Sequence, residues 1–212
     1  MSELLINQTE FNSPKREVLL QTIKEVDFSN EKSYERLFEI VPELRNLDFS
    51  TNHPVHPFNV LEHSVRSAQK ATSDTVMMAL LFHDFGKSLP ECQKWVENTI
   101  NPNAPLVLKS PDHEIYGVEP VDAIIRGNGL ALNPAELDLI LGIVRYHDSW
   151  GHTFYRDFDD MVKTFNPETV EYLFEAQRLD LSTHSAEYAG KNLENISLSQ
   201  NRIKEVILIF HN

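Results

Sequence analysis

The chain has 212 residues, enough for one generous domain with a substantial core, and its 41% hydrophobic and 24% charged content is that of a globular protein, which excludes disorder. Its 19 basic against 32 acidic side chains give a formal charge of -13, which excludes broad coating of a nucleic acid but leaves room for a local basic pocket that takes one small phosphorylated ligand. A single cysteine, Cys92, rules out an intramolecular disulfide and fits a reducing cytoplasm, and no apolar run reaches the roughly 18 residues of a membrane span or follows a basic export segment.

Apolar residues recur mainly at spacings of three and four, and glycine is scarce, so the expected fold class is all-α. Ser13-Pro14 marks the first helix start, with a stripe of Val18, Leu19, Ile23 and Val26 behind it. A second helix, capped by Ser33, carries Tyr34, Leu37, Phe38 and Val41 until Pro42 interrupts it. The prolines of Asn52-His53-Pro54-Val55-His56-Pro57 make that stretch a loop, with both histidines expected to face solvent. Asn59 stands three residues before Glu62, the spacing of a capping box, and the helix it starts places His63 in its first turns, on a different face from Leu61, Val65 and Ala68.

The stretch from Asp74 to Phe85 reads as a central apolar helix that places His83 and Asp84 side by side at its end, with Gly86 to terminate it and Lys87 just beyond. Residues 97–111 read as a long Asn- and Pro-rich loop. Ser110-Pro111-Asp112 then starts a helix with His113 and Glu114 in its first turn, Pro120 kinking it before Ile124 and Ile125, and Gly127-Asn128-Gly129 closing it. Asn133-Pro134-Ala135-Glu136 is a strong start for a helix whose stripe of Ile140 and Val144 continues to His147. The aromatic and acidic segment 149–163 suits a flap over a site. Asn166-Pro167 opens a further helix whose packed face includes Asp180 and His184, and Ile203 to Phe210 forms a final one. His152 and His211 read as solvent-facing.

Singly, each polar residue on these apolar faces has a packing explanation. His63 suits a core histidine bonded to a carbonyl, His147 a cation at a helix C-terminus, Asp180 a buried pair with Arg178 and Lys87 a solvated helix-end cation. Together they are harder to dismiss, because buried imidazoles and carboxylates need partners and several helices each present one where an apolar residue would pack. Nitrogen and oxygen ligands projected from facing helices suit a divalent transition metal with positions open to water and substrate, and do not resemble a thiolate zinc staple.

The ordered set His63, His83-Asp84, His113, His147 and Asp180 resembles the HD superfamily of metal-dependent phosphohydrolases, whose namesake pair would be His83-Asp84. Within it the chain is most similar to the HD domain that accompanies bacterial tRNA nucleotidyltransferases, through Phe58-Asn59-Val60-Leu61-Glu62-His63, Leu80-Leu81-Phe82-His83-Asp84-Phe85-Gly86-Lys87, Asp112-His113-Glu114, Val144-Arg145-Tyr146-His147 and Arg178-Leu179-Asp180. The segment Phe38 to Leu44 looks like the one that precedes that domain, so the likeness spans roughly residues 33 to 188. Nothing resembles the nucleotidyltransferase half, and Pro120 departs from the smooth helix of the pattern.

The resemblance implies one helical domain over 33–212, a helical extension over 1–32 packed on it, and a metal site between the central helices. It implies His63, His83, Asp84 and Asp180 as primary ligands, with His113 and His147 available for a second ion or for the phosphate. One or two divalent ions are expected, and Mn, Mg, Ni, Co, Fe and Zn all suit these ligands. The expected activity is hydrolysis of a phosphate mono- or diester of a nucleotide or RNA end, as a 2′,3′-cyclic phosphodiesterase or a phosphatase. Asp84 would bridge two ions or accept the proton of the attacking water, and Lys87, with Arg145 as a further candidate, would bind phosphate. A di-iron oxygenase on the same scaffold and a non-catalytic nucleotide- or RNA-binding module are the alternatives.

Overall fold

The computed structural model describes residues 13–99, 105–130, 133–150 and 153–210. Among these, ten α-helices alternate with short 3₁₀ turns and one small hairpin: α1 (Pro14–Glu25), α2 (Glu31–Ile40), α3 (Val60–Gln69), α4 (Asp74–Phe82), β1 (Lys94–Val96), β2 (Val107–Lys109), α5 (His113–Tyr116), α6 (Val118–Gly127), α7 (Pro134–Tyr146), α8 (Phe154–Thr164), α9 (Val170–Leu181) and α10 (Ala186–Phe210). No helix among the described residues is long and apolar enough to cross a membrane.

The core is built around α4. Every residue from Val76 to Phe82 is buried, so this helix is apolar on all sides and must be enclosed by others. It packs against α3, α7 and α9, and one continuous apolar cluster joins Leu19 and Ile23 of α1 to Leu61 and Val65 of α3, Leu80 of α4 and Ile140 of α7. A smaller cluster of Phe154 and Met161 from α8, Leu173 and Phe174 from α9 and Ile203 and Ile207 from α10 closes the far side. Fully burying each such side chain contributes about 1.5–3 kcal/mol.

Three helix starts act as their sequences require. The side chains of Asn59, Ser73 and Asn133 accept hydrogen bonds from the backbone N–H groups of Glu62, Val76 and Glu136 at the first turns of α3, α4 and α7. Other boundaries differ from expectation. Ser33 lies inside α2, where its hydroxyl bonds the backbone of Asp27. The central helix ends at Phe82, and Phe85–Ser88 form a 3₁₀ turn. Pro120 makes no kink: the chain breaks earlier, at Gly117 between α5 and α6, which leaves Pro120 in a first turn where its missing N–H costs nothing. Residues 94–96 and 107–109 pair as antiparallel strands at the flanks of the expected loop. Segment 149–163 includes α8, whose Phe154, Met161 and Val162 are buried, so from Phe154 onward it is a packed helix and not a flap. The last helix starts at Ala186, well before Ile203.

Gly86 has a different task from the one its position suggests. Its φ is not positive; it matters because a Cβ there would stand 1.9 Å from the carbonyl oxygen of His113. A Cβ on Gly117 would lie 2.9 Å from the same oxygen. The two glycines therefore let the turn after Asp84 rest directly on the turn that carries His113. Gly86→Ala should force these backbones apart, costing about 2–3 kcal/mol, or roughly 5–10 °C in melting temperature, and weakening metal binding with it. Thermal unfolding with and without metal measures both effects.

Candidate metal centre

His63, His83, Asp84, His113, His147 and Asp180 are all buried and converge at one end of the bundle. Their positions share a cause. His83 and His147 cap the C-termini of α4 and α7, Asp84 sits in the turn beyond, His113 starts α5, Asp180 lies in the last turn of α9 and His63 in the first turn of α3. Helices that stop at one level can aim several side chains into a shared space without interrupting the apolar packing behind.

The backbone fixes which ring nitrogen each imidazole offers. Nδ1 of His83 lies 2.7 Å from the carbonyl of Leu80, Nδ1 of His113 2.8 Å from that of Ser110, and Nδ1 of His147 2.8 Å from that of Val144. A carbonyl only accepts, so in each ring Nδ1 carries the proton. His63 reaches the same state through a hydroxyl: Thr183 Oγ1 donates to the carbonyl of Asp180 at 2.7 Å and so accepts from His63 Nδ1 at 2.9 Å. When neutral, each of the four rings then presents its Nε2 lone pair, the arrangement that metal-ligating histidines have when their outer nitrogen is held by the protein.

Those lone pairs face other acceptors. His63 Nε2 lies 2.7 Å from Asp180 Oδ1, His113 Nε2 3.1 Å from Asp84 Oδ1, and the Nε2 atoms of His113 and His147 are 3.3 Å apart. His83 Nε2 is buried with no hydrogen-bond partner, 3.4 Å from Asp180 Oδ1 and 3.5 Å from Asp84 Oδ2. Acceptor against acceptor at these distances needs a proton or a cation between. The donor atoms of His63, His83 and Asp180, and those of His83, Asp84 and His147, lie within 4.8 Å of one another, close to the span of about 4 Å between two ligands on opposite sides of one ion. The donor set therefore fits a metal ion, and its two groups share His83.

Asp84 stands between the groups. Its Oδ1 faces His113 and His147, while its Oδ2 faces His83, His63 at 3.7 Å and the ammonium of Lys87 at 2.7 Å. Burial works against charge on all of these groups, and the net direction shows what overrides it. For Asp84 and Asp180, burial is opposed by neighbouring histidines, with Lys87 beside Asp84 as well, and both carboxyls are held well below the usual carboxylate range. Burial pulls His63 down to about 4 against the pull of Asp180, whereas the carboxylate of Asp84, 3.7 Å from Nε2 of His147, outweighs burial there and raises it to about 9. His63 is thus neutral at pH 7, and its single proton cannot serve both Thr183 and Asp180.

Asp84, His113, His147 and Asp180 of the cluster form the floor of a cavity of about 530 Å³. Lys87 lines it, with its ammonium committed to Asp84. Arg145 does not join the cluster: it bonds Asp157 at 3.1 Å, stacks over Tyr146 and is absent from the cavity wall. Asp157 is buried and also accepts from Ser149 and Arg156, and Arg156 reaches on to Asp112 and Glu114, which ties α8 to the turn that carries His113.

His53 and His56 are not solvent-facing. Both line the cavity, with His56 packed against His63 and against His184 at 4.6 Å between ring centroids, and burial lowers the pKa of each. His184 donates from Nδ1 to the carbonyl of Asp180 and stacks on Tyr188. A sequence signal existed for His184, which follows Asp180 by one helical turn. None existed for His56 in its proline-bounded loop. His152 and His211 lie outside the described residues. Comparison of the chain with models of known protein families, with curated proteins and with solved structures finds no match.

Proposed function

We propose that this protein is a metal-dependent phosphohydrolase of the HD type that cleaves a phosphate mono- or diester of a nucleotide or an RNA end. The observation that carries the reading is the arrangement of the four imidazoles, each with its Nδ1 proton held by the protein and its Nε2 turned toward Asp84, Asp180 or another Nε2. Such a centre supports ions held by His63, His83, Asp84 and Asp180, with His113 and His147 supplying a second position across Asp84. Bound there, a divalent ion lowers the pKa of water and neutralises charge on a phosphoryl group.

The chain's own residues do the rest. Asp84, a buried carboxylate whose two oxygens face His83 and His113, would orient the attacking water and accept its proton. Lys87 on the cavity wall, its ammonium paired with Asp84, adds positive charge beside a bound phosphate, and the apolar helix behind His83 keeps bulk water from the far side. The position of Arg145, facing Asp157, speaks against a direct phosphate contact for it.

A panel of nucleoside monophosphates, 2′,3′-cyclic nucleotides and linear dinucleotides, run with each divalent metal in turn, tests the activity. Hydrolysis should vanish on exhaustive chelation and return with metal. Undiminished turnover in a verified metal-free sample would sink the reading, and iron-dependent oxygen consumption without phosphate release would replace it by an oxygenase.

A further inference from the structure

The β1–β2 hairpin places two like charges opposite each other. Lys94 and Lys109 are register partners across the ladder, and both line the cavity whose floor is the metal centre. Directly opposed like charges destabilise a strand pair, because the Cβ atoms stand only about 5 Å apart. Neither lysine has a carboxylate partner among the described residues, although the chain carries 32 acidic side chains. The hairpin is held in place: the Leu108 N–H donates to the carbonyl of Thr51 at 2.8 Å, and Asn52 Nδ2 donates to the carbonyl of Leu106 at 3.1 Å. Two ammonium groups on a fixed wall suit an anion, and they belong to a different element from Lys87, whose ammonium is paired with Asp84.

We infer that Lys94 and Lys109 bind a second phosphate of the substrate, separate from the phosphate at the metal centre, so that the preferred ligand is a bisphosphorylated nucleotide. The inference rests on the phosphohydrolase reading for what happens at the floor of the cavity, but the subsite itself rests on the hairpin. It narrows the substrate class, since nucleoside monophosphates and 2′,3′-cyclic nucleotides carry no second phosphate to fill the position.

Calorimetric binding of adenosine 3′,5′-bisphosphate and adenosine 5′-monophosphate to the metal-loaded protein, wild type and Lys94→Ala/Lys109→Ala, tests it. The wild type should prefer the bisphosphate by roughly 30-fold, the size expected for two charge-assisted contacts, and the double variant should bind the two alike. Both lysines are exposed and their charges repel across the ladder, so the variant should melt no lower than the wild type, and Lys94→Arg/Lys109→Arg should keep the preference. Equal binding of the two ligands by the wild type, or a preference that survives in the alanine variant, overturns the subsite. Hydrolysis of bis(p-nitrophenyl) phosphate, which has no second phosphate, is followed in parallel. Rates within twofold in the variant support a separate subsite, and a matching loss of rate overturns it by assigning the lysines to the reacting centre. If neither protein cleaves any ester with any metal while the lysine-dependent preference persists, the subsite stands and the phosphohydrolase reading falls.

Discussion

Asp84→Asn should leave a folded protein that has lost hydrolysis by roughly a thousandfold or more, the factor that corresponds to about 4 kcal/mol of transition-state stabilisation. The amide keeps the volume of the carboxylate, so the packing of the turn on α5 survives. What it loses is the charge that Oδ1 presents to His113 and His147 and that Oδ2 presents to His63, His83 and Lys87. The two oxygens of Asp84 together face His63, His83, His113 and His147, which is why this single change is expected to exceed the loss of any one histidine. Circular dichroism and thermal unfolding establish that the variant is folded; a folded variant with wild-type turnover would remove Asp84 from the site.

The second large effect is on stability against pH in the metal-free protein. His63 is lowered from 6.5 to about 4, so its contribution is present above pH 6.5 and lost as pH falls toward 4. Asp84 and Asp180, both lowered, add to the loss on the acid side, below their ordinary value of 3.8. His147 is raised from 6.5 to about 9, so its contribution is complete below pH 6.5 and lost as pH rises through 9. Each histidine's share is on the order of 3 kcal/mol, or roughly 6–12 °C, so the melting temperature should peak near pH 6.5 and fall on both sides. Metal on the Nε2 atoms removes the alkaline fall, since a ligated nitrogen no longer depends on a proton. A metal-free melting temperature that is flat from pH 6.5 to 9 would show that His147 is not held as its contact with Asp84 indicates.

Much of this site could be read from the sequence because its residues break local patterns. His83-Asp84 ends an apolar run, His147 continues an apolar stripe and Asp180 interrupts one; each is costly to bury alone, and the structure buries all of them together. The capping signals at Asn59 and Asn133 were equally local, and they set the helix starts. What escaped depends on contacts distant along the chain. Strands of three residues are too short to show alternation, so the hairpin and its lysines were invisible until Thr51 and Asn52 were seen to hold it. His56 reads as a loop residue until His184 arrives beside it from the turn after α9. Gly86 looks like a helix terminator, and only the carbonyl of His113 shows why a side chain is excluded there. Arg145 sits two residues from His147, yet the buried carboxylate of Asp157 draws it away from the cavity.

The central claim is that the convergent Nε2 atoms and carboxylates hold metal. Elemental analysis of the purified chain after metal loading and removal of free ions tests it most directly. The wild type should retain metal, approaching two ions per chain, and Asp84→Asn should retain far less. A folded wild-type protein that retains none across Mn, Fe, Co, Ni and Zn would contradict the account.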